Sequence, residues 1–452
     1  MYDAIIVGAG PAGLSIASEL SRDLKILVVD GKEKYSDCTK SWFIPGYLVQ
    51  DNPEVMPFMY PGIFRLKTWT FSDVKTCWDT RLPHGYYYVK EHEILDYWGN
   101  KAAAAGAEIL LNTFYADHVV EPDKVIVDTT AGRYEAKLLI DASGHDSMIG
   151  KKYERKEDYY WWSVYGAIVE HPNGLHDMKN GDYMLWQTFK STNARDDVTL
   201  REGRPVFEYE ILTEKESFPL ILYLRKDKVN QDFMKAQFME VLYDEKATDA
   251  YKDCVIKELK YGWYPSGGLT YRQAEERVVF VGDAGCWTTP CGWGFGFIVY
   301  NYRKYSAALQ ELIQKDHLSA GAIDDLVDLN LYEKHQILFD AIASHFLANA
   351  SPKQLDRFIQ FFNSNDPLVC EKIFTLTVSM DELEDTAKRF LKSFSIIELL
   401  KIMPKEDILL YVQEMGLFIG EWLSEEIRKL LGLPEPDEPG FDIRDELAPE
   451  EQ

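Results

Sequence analysis

The sequence predicts an α/β fold: a parallel, Rossmann-like βαβ sheet, an inserted β-sheet layer and a helical C-terminal region. Three observations predict it. Residues 3–30 hold two short apolar runs separated by a glycine-rich turn and a helical pattern. Two later apolar runs, ending at Asp141 and at Val281, lead into turns rich in Gly and Asp. Between and beyond these runs the periodicity changes, from strand-like alternation over 155–265 to three- and four-residue apolar steps over 320–432.

Taken in order, 3–8 (DAIIVG) reads as a buried parallel strand, 14–22 (LSIASELSR) as a helix, and 25–30 (KILVVD) as a second buried strand. Residues 31–88, rich in Pro, Gly and aromatics, read as irregular. A helix is expected over 91–106, a strand at 108–111, and a meander over 119–138 with turns at Pro122-Asp123 and Ala131-Gly132. Residues 138–141 return to the buried sheet, 277–281 form another buried strand, and a helix follows over 294–314. The tail from Pro434 is acidic and Pro-rich and reads as solvated. The expected domains are 1–155 with 265–315, a sheet-rich insertion at 156–264, a helical region at 316–433, and the tail at 434–452.

Composition narrows the function classes. The chain has 452 residues and a formal net charge of −25, which repels phosphate backbones and argues against a nucleic-acid partner. No apolar run reaches the roughly 18 residues of a membrane span. The first motif starts at residue 3, so no cleavable leader is expected and a cytoplasmic location is. The six cysteines form no C-x-x-C pair and suit neither a disulfide framework nor a zinc site, so no metal is expected. Aromatics cluster at 86–88, 159–162 and 261–264, either as core or as a wall around a greasy or ring-shaped ligand.

The chemistry begins at Gly8-x-Gly10-x-x-Gly13, between strand and helix. The first glycine permits a tight turn, the second lets backbone approach a pyrophosphate, and the third lets helix and strand pack closely. With Pro11 and Ala12 they set a helix N-terminus, a donor-rich and positive end, against phosphates. Asp30 closes the second strand where a carboxylate accepts from ribose hydroxyls, and Gly31 and Lys32 adjoin it. This unit alone does not separate NAD from FAD. The strand ending Asp141-Ala142-Ser143-Gly144, and Gly282-Asp283 with Pro290, Gly292 and Gly294 behind it, favour FAD. A Gly-Asp turn places a carboxylate near ribityl hydroxyls, and a Pro- and Gly-rich loop opening a helix brings N–H groups to a flavin edge.

These elements, in this order over residues 1–315, resemble the flavoprotein family of aromatic hydroxylases, geranylgeranyl reductases and lycopene cyclases. Residues 165–188 and 265–285, and the helical C-terminal third, are most similar to the lycopene cyclases. The resemblance implies an aromatic-hydroxylase-type FAD fold in which Asp141, Gly144, Gly282 and Asp283 flank FAD. The loop 36–42 resembles the cysteine loop near the flavin of geranylgeranyl reductases. The chain also departs from the pattern. Ile221-Leu222 stand where the cyclases carry paired glutamates, Cys286-Trp287 where hydroxylases place a histidine nearby, and Glu91 where they place an arginine.

Two residues are candidate catalytic groups. Glu208 and Glu210 share one face of a strand; on a pocket-facing side burial would raise their pKa values and suit Glu210 as a proton donor, while on a solvent side they are surface charges. Lys40, like Arg65, lies in the insertion after the second strand, where a cation would stabilise reduced flavin or a bound anion. His145 follows Gly144 within reach of the site, and Cys286 and Cys291 bracket the Gly-Asp loop. The expected function is an FAD-dependent oxidoreductase or monooxygenase acting on a hydrophobic isoprenoid or aromatic molecule, with NADPH as a transient donor. The alternatives are a lycopene-cyclase-like isomerase using reduced FAD without net redox change, and a non-catalytic flavoprotein subunit. Residues 390–432 carry an apolar patch, read as helix packing or as a membrane contact.

Overall fold

The computed structural model describes residues 1–402 apart from 70–76, 154–159, 175–183, 189–205, 244–250, 252, 268–272, 291, 331–333 and 376. The acidic tail and the apolar pattern beyond Ile402 lie outside the described residues.

The first sheet runs in the order Ala274–Glu275, Val278–Phe280, Gly132–Asp141, Tyr2–Val7, Ile26–Val29, Glu108–Leu110. From Val278–Phe280 to Glu108–Leu110 each neighbouring pair is parallel. Its central strands are buried on both faces, hence their unbroken runs of Ile, Leu and Val. Strands Tyr115–Glu121 and Lys124–Thr129 form the expected meander. Gly132–Asp141 is one continuous strand that both closes this meander and enters the parallel sheet. Helices Pro11–Leu20, Glu91–Ala104 and Gly294–Lys315 share one core with the sheet, built around Ile6, Leu14, Trp98, Phe297 and Tyr302.

The second sheet has the order Val255–Ser266, Tyr160–Glu170, Glu216–Arg225, Val206–Ile211, Met184–Thr188, Ile63–Trp69, Cys77–Tyr88, Phe43–Pro45. Among the described residues, only the contact of Met184–Thr188 with Ile63–Trp69 is parallel in this sheet. Three of its strands come from 31–88, the stretch read as irregular. Phe43–Pro45 pairs with Tyr86–Tyr88 more than forty residues away, so no local alternation betrays it. A helix at Gln231–Tyr243, packed through Met234, Phe238 and Leu242, interrupts the strand series. Helices then follow from Ala320 to Ile402. Phe394 is buried against Phe346, which favours the packing reading for that part of the apolar patch.

Candidate functional site

The register Val7 to Asp141 to Phe280 aligns the carboxyl ends of three parallel strands. Their outgoing turns therefore emerge side by side. Gly8 N–H donates to Val29 O (2.9 Å), Ala142 N–H to Val7 O (2.8 Å) and Val281 N–H to Asp141 O (2.9 Å). The chain leaves the central strand toward Ile26–Val29 and returns on its other side as Gly132–Asp141. A crevice opens at such a switch point.

The glycines of the first turn do three different jobs. Gly8 has φ +111°, and a Cβ there would lie 2.3 Å from Ala142 O. A Cβ on Gly13 would lie 2.0 Å from Gly8 O, so Gly13 seats the helix on the strand and does not face the cavity. Gly10 has nothing within 4 Å of a Cβ: its face is open. The helix Pro11–Leu20 has no side-chain cap, so its first-turn N–H groups point into this open space. Asp30 accepts from Ala9 N–H (2.5 Å) and Lys32 N–H (2.8 Å), and Lys32 Nζ donates to Ala9 O (2.7 Å). Gly31 lies against the Phe114 ring, which a Cβ would approach to 2.4 Å.

Asp141 is fully buried and accepts from Ser143 N–H (3.0 Å), Ser143 Oγ (2.6 Å) and Ser147 Oγ. It thus organises the turn that presents Gly144, and only Gly144 of the two reaches the cavity. Gly144 has φ +87° and open space before it. On the third turn Gly282 (φ +62°) and Asp283 enter a 3₁₀ turn, and Lys40 Nζ lies 3.2 Å from the Asp283 carboxylate. His145 Nδ1 stands 3.9 Å from the same carboxylate. Burial raises the Asp283 pKa, but the Lys40 charge and the hydrogen bonds from His145 and Lys40 outweigh it and hold the carboxyl well below its ordinary range. Pro290 lies behind the wall, its carbonyl accepting from Trp162 Nε1 (3.2 Å). Gly292 (φ +71°) and Gly294 then open the helix Gly294–Lys315, whose N-terminus also lacks a side-chain cap.

These turns enclose a cavity of about 430 Å³, within the usual range of ligand sites. Gly8, Gly10, Pro11 and Ala12 line it from the first turn, and Asp30, Gly31 and Lys32 from the second strand. Gly144, Gly282, Asp283, Gly292, Gly294 and Lys40 complete the lining, with Gly282 against Ala12. Gly13, Asp141 and Pro290 support the wall from behind. Glu210 pairs with Phe218 and Met184 in the second sheet, and its side chain, like that of Glu208, lies outside the described residues. Arg65 belongs to the strand Ile63–Trp69, away from the cavity lining. Cys286 is buried in a left-handed turn, and Cys291 lies outside the described residues.

Sequence reasoning did not single out Trp42, Tyr264, Thr288 or Phe295 as lining residues. Trp42 stacks on Phe295 with centroids 5.1 Å apart and planes 4° apart. Tyr264 donates or accepts at Ser41 Oγ and accepts from Ser41 N–H (2.7 Å). Its signal was the aromatic cluster 261–264. Cys38 also lines the cavity, and burial, aided by the Glu91 charge, pushes its thiol up to about 11. The thiol stays protonated at neutral pH and is a poor nucleophile.

The site fits an FAD. Two uncapped helix N-termini and two glycine faces with open space before them converge on one cavity, which is what a diphosphate-bridged ligand requires. A planar aromatic pair closes one wall, suited to a ring system.

Comparison with known proteins agrees. Among solved structures the fold matches a geranylgeranyl bacteriochlorophyll reductase-like protein from Thermoplasma acidophilum. The two share 16% identity over 90% of this chain and 99% of that one, with a TM-score of 0.66. It also matches aklavinone-11 hydroxylase in complex with FAD and aklavinone, at 17% identity over 78% and 70% of the two chains and a TM-score of 0.58. The halogenase PltM in complex with phloroglucinol and FAD matches at 12% identity over 92% and 96%, with a TM-score of 0.61. At these identities the likeness establishes the fold, that of FAD-dependent reductases, hydroxylases and halogenases. No curated protein matches the sequence. Among the described residues no helix is long and apolar enough to cross a membrane. The model of the lycopene cyclase protein family matches residues 3–396, and the chain belongs to that family of flavoenzymes.

Proposed function

We propose that the cavity holds FAD and that the chain is a flavoenzyme acting on a hydrophobic isoprenoid or aromatic molecule. The observation that carries this reading is the convergence of the two uncapped helix N-termini on the open faces of Gly10 and Gly144. In this reading the N–H groups of the Gly10–Gly13 turn would hold the pyrophosphate, and Asp30, which accepts from Ala9 N–H, would also accept from a ribose hydroxyl. Asp283 would accept from the ribityl chain, and the Gly292–Phe295 turn, with Trp42 and Thr288, would receive the ring. When bound, FAD supplies the two-electron chemistry that no side chain here can perform.

The residues of the chain bind, orient and exclude water. Lys40 keeps Asp283 ionised, and the two form an ion pair at the cavity wall. Trp42, Tyr264 and Phe295 give the ring end an apolar lining for a greasy substrate. We take net oxidoreduction, with NADPH as a transient donor, as the first reading. The family match favours a second, isomerisation with reduced FAD and no net redox change. Ile221 and Leu222, where a glutamate pair is expected for that chemistry, are buried apolar residues, so its acid would come from another position, Glu210 being the candidate.

Anaerobic reduction of the FAD-loaded protein, followed by addition of a linear polyene, tests the choice. Consumption of one NADPH per product supports oxidoreduction. Product in excess of flavin from pre-reduced protein, with the flavin still reduced and no NADPH consumed, supports isomerisation.

A further inference from the structure

The helix Lys334–Asn349 lies outside the FAD fold, yet it presents a polar stripe to it. Asp340, Ser344 and His345 are buried, and Asn349 continues the same face at four- and five-residue steps. Asp340 and Ser344 have partners on the wall of the cavity or beside it, while His345 and Asn349 both bond Tyr160. Thr288 Oγ1, which lines the cavity, donates to Asp340 Oδ2 at 2.7 Å. Ser344 Oγ donates to Asp340 Oδ1 at 3.3 Å and meets Ser266 Oγ at 2.8 Å. Ser266 Oγ in turn donates to Thr289 O (3.2 Å) and Pro290 O (3.0 Å). Thr289 Oγ1 accepts from Trp293 N–H at 2.7 Å, directly before the helix that opens at Gly294. The backbone comes close here as well: Gly267 (φ +63°) would carry its Cβ 2.8 Å from Ser344.

We propose that Asp340 is a positioning residue of the flavin site, holding the Thr288 hydroxyl and bracing the Thr289–Pro290 turn, with its charge state felt at the ring end of the cavity. The proposal rests on the FAD reading above. Its chemical basis is the choice of a carboxyl. A hydroxyl needs only a neutral acceptor, which Asn would supply. A buried carboxylate without an opposite charge is costly.

Among the described residues, the ionisable groups of the surrounding elements are engaged elsewhere. His345 Nδ1 bonds Tyr160 Oη at 2.5 Å, and Lys226 Nζ lies 4.7 Å from the Tyr160 ring centroid. Asp283 faces Lys40 and His145, and Lys260 faces Glu91. Among the described residues Asp340 meets hydroxyls and the Gly267 N–H and no charge. Burial therefore raises its pKa to about 7, although Thr288, Ser344 and Gly267 pull it down. Above that pH the carboxyl is an anion behind the ring end. There it opposes the arrival of electrons, so reduction of bound flavin becomes harder as pH rises through about 7.

The test compares the FAD-loaded wild type with Asp340→Asn and Asp340→Ala, reading FAD retention and the flavin reduction equilibrium at about pH 6 and about pH 8, either side of the group's titration. Asp340→Asn keeps an acceptor for Thr288 and loses the ionisation. It should retain FAD, and its equilibrium should change about tenfold less between the two pH values than the wild type, ~30 mV on a two-electron couple. Asp340→Ala should also lose FAD more readily. Thr288→Val removes one hydroxyl that stabilises the carboxylate and should move the inflection to higher pH, which covers a failure of either Asp340 variant to fold. Wild-type pH dependence in Asp340→Asn, or an unmoved inflection in Thr288→Val, overturns the proposal while the FAD reading stands. Failure of the wild type to take up FAD overturns both.

Discussion

The two ends of the cavity are built from different materials. At the Gly8–Gly13 end the wall is backbone: glycine faces, an uncapped helix N-terminus, and one carboxylate that holds a loop. At the Gly282–Phe295 end it is side chain: Lys40 on Asp283, His145 nearby, Trp42 stacked on Phe295, and Thr288 tied to Asp340. Backbone donors do not titrate and leave little room for variation, so the first end suits a constant task, holding a diphosphate. Side chains set charge, shape and proton affinity, so the second end suits the task that differs among relatives of one fold. Binding should therefore fail from the first end, and pH behaviour should change from the second.

The largest expected effect falls on neither end but on what joins their supports. Glu91 begins a helix of the FAD fold, and Lys260 lies in the second sheet. Both are buried, with Nζ 3.1 Å from the carboxylate. Lys260→Met strands a buried carboxylate and should cost about 3–5 kcal/mol, read as a lower midpoint in urea. A loss below about 1 kcal/mol would show that water or another group replaces the lysine.

Gly8→Ala and Gly10→Ala sharpen the comparison at the backbone end. The first forces a Cβ to 2.3 Å from Ala142 O at a positive φ and should destabilise the fold by about 1–3 kcal/mol. The second enters open space. It should leave the melting temperature of the apo protein unchanged while weakening FAD binding by about tenfold, ~1.4 kcal/mol. Equal effects of the two on stability would mean that Gly10 is a packing glycine.

The smallest expected effect is a pH dependence at the side-chain end. The folded-state pKa of Asp283 lies below its unfolded value. The stability it contributes is thus present above about pH 4, the ordinary aspartate range, and lost as pH falls through the folded value. Asp283→Asn should flatten the acid limb of stability against pH, and Lys40→Met should shift that limb to higher pH. An acid limb identical in wild type and Asp283→Asn would assign it to other carboxylates.

The same contrast explains what could be read from the sequence. The glycine turn, Asp30, and the strands ending at Asp141 and Phe280 were legible because their geometry is local: each motif carries its own strand, turn and helix. Trp42 and Phe295 were not, because they meet across more than 250 residues and look alone like ordinary core aromatics. The strand Phe43–Pro45 forms only through a distant partner, whereas Ile63–Trp69 pairs with nearby Cys77–Tyr88 as well as with distant Met184–Thr188, a local pairing hidden by the Pro, Gly and aromatic residues of that stretch. Met184–Thr188 was legible as a strand, while its parallel pairing was not. The helix Gln231–Tyr243 did carry a four-residue step in Met234, Phe238 and Leu242, but strand-like alternation on either side masked it. The roles of Asp141 and Gly13 behind the wall, with no face on the cavity, depend on side-chain direction that spacing does not encode.

Titration of purified protein with FAD, followed by flavin absorbance and fluorescence in wild type and Gly10→Ala, tests the central claim most directly. The account predicts saturable one-to-one binding in the wild type and about tenfold weaker binding in a Gly10→Ala variant of unchanged fold. Absence of binding in the wild type, or equal affinity in both, would contradict it.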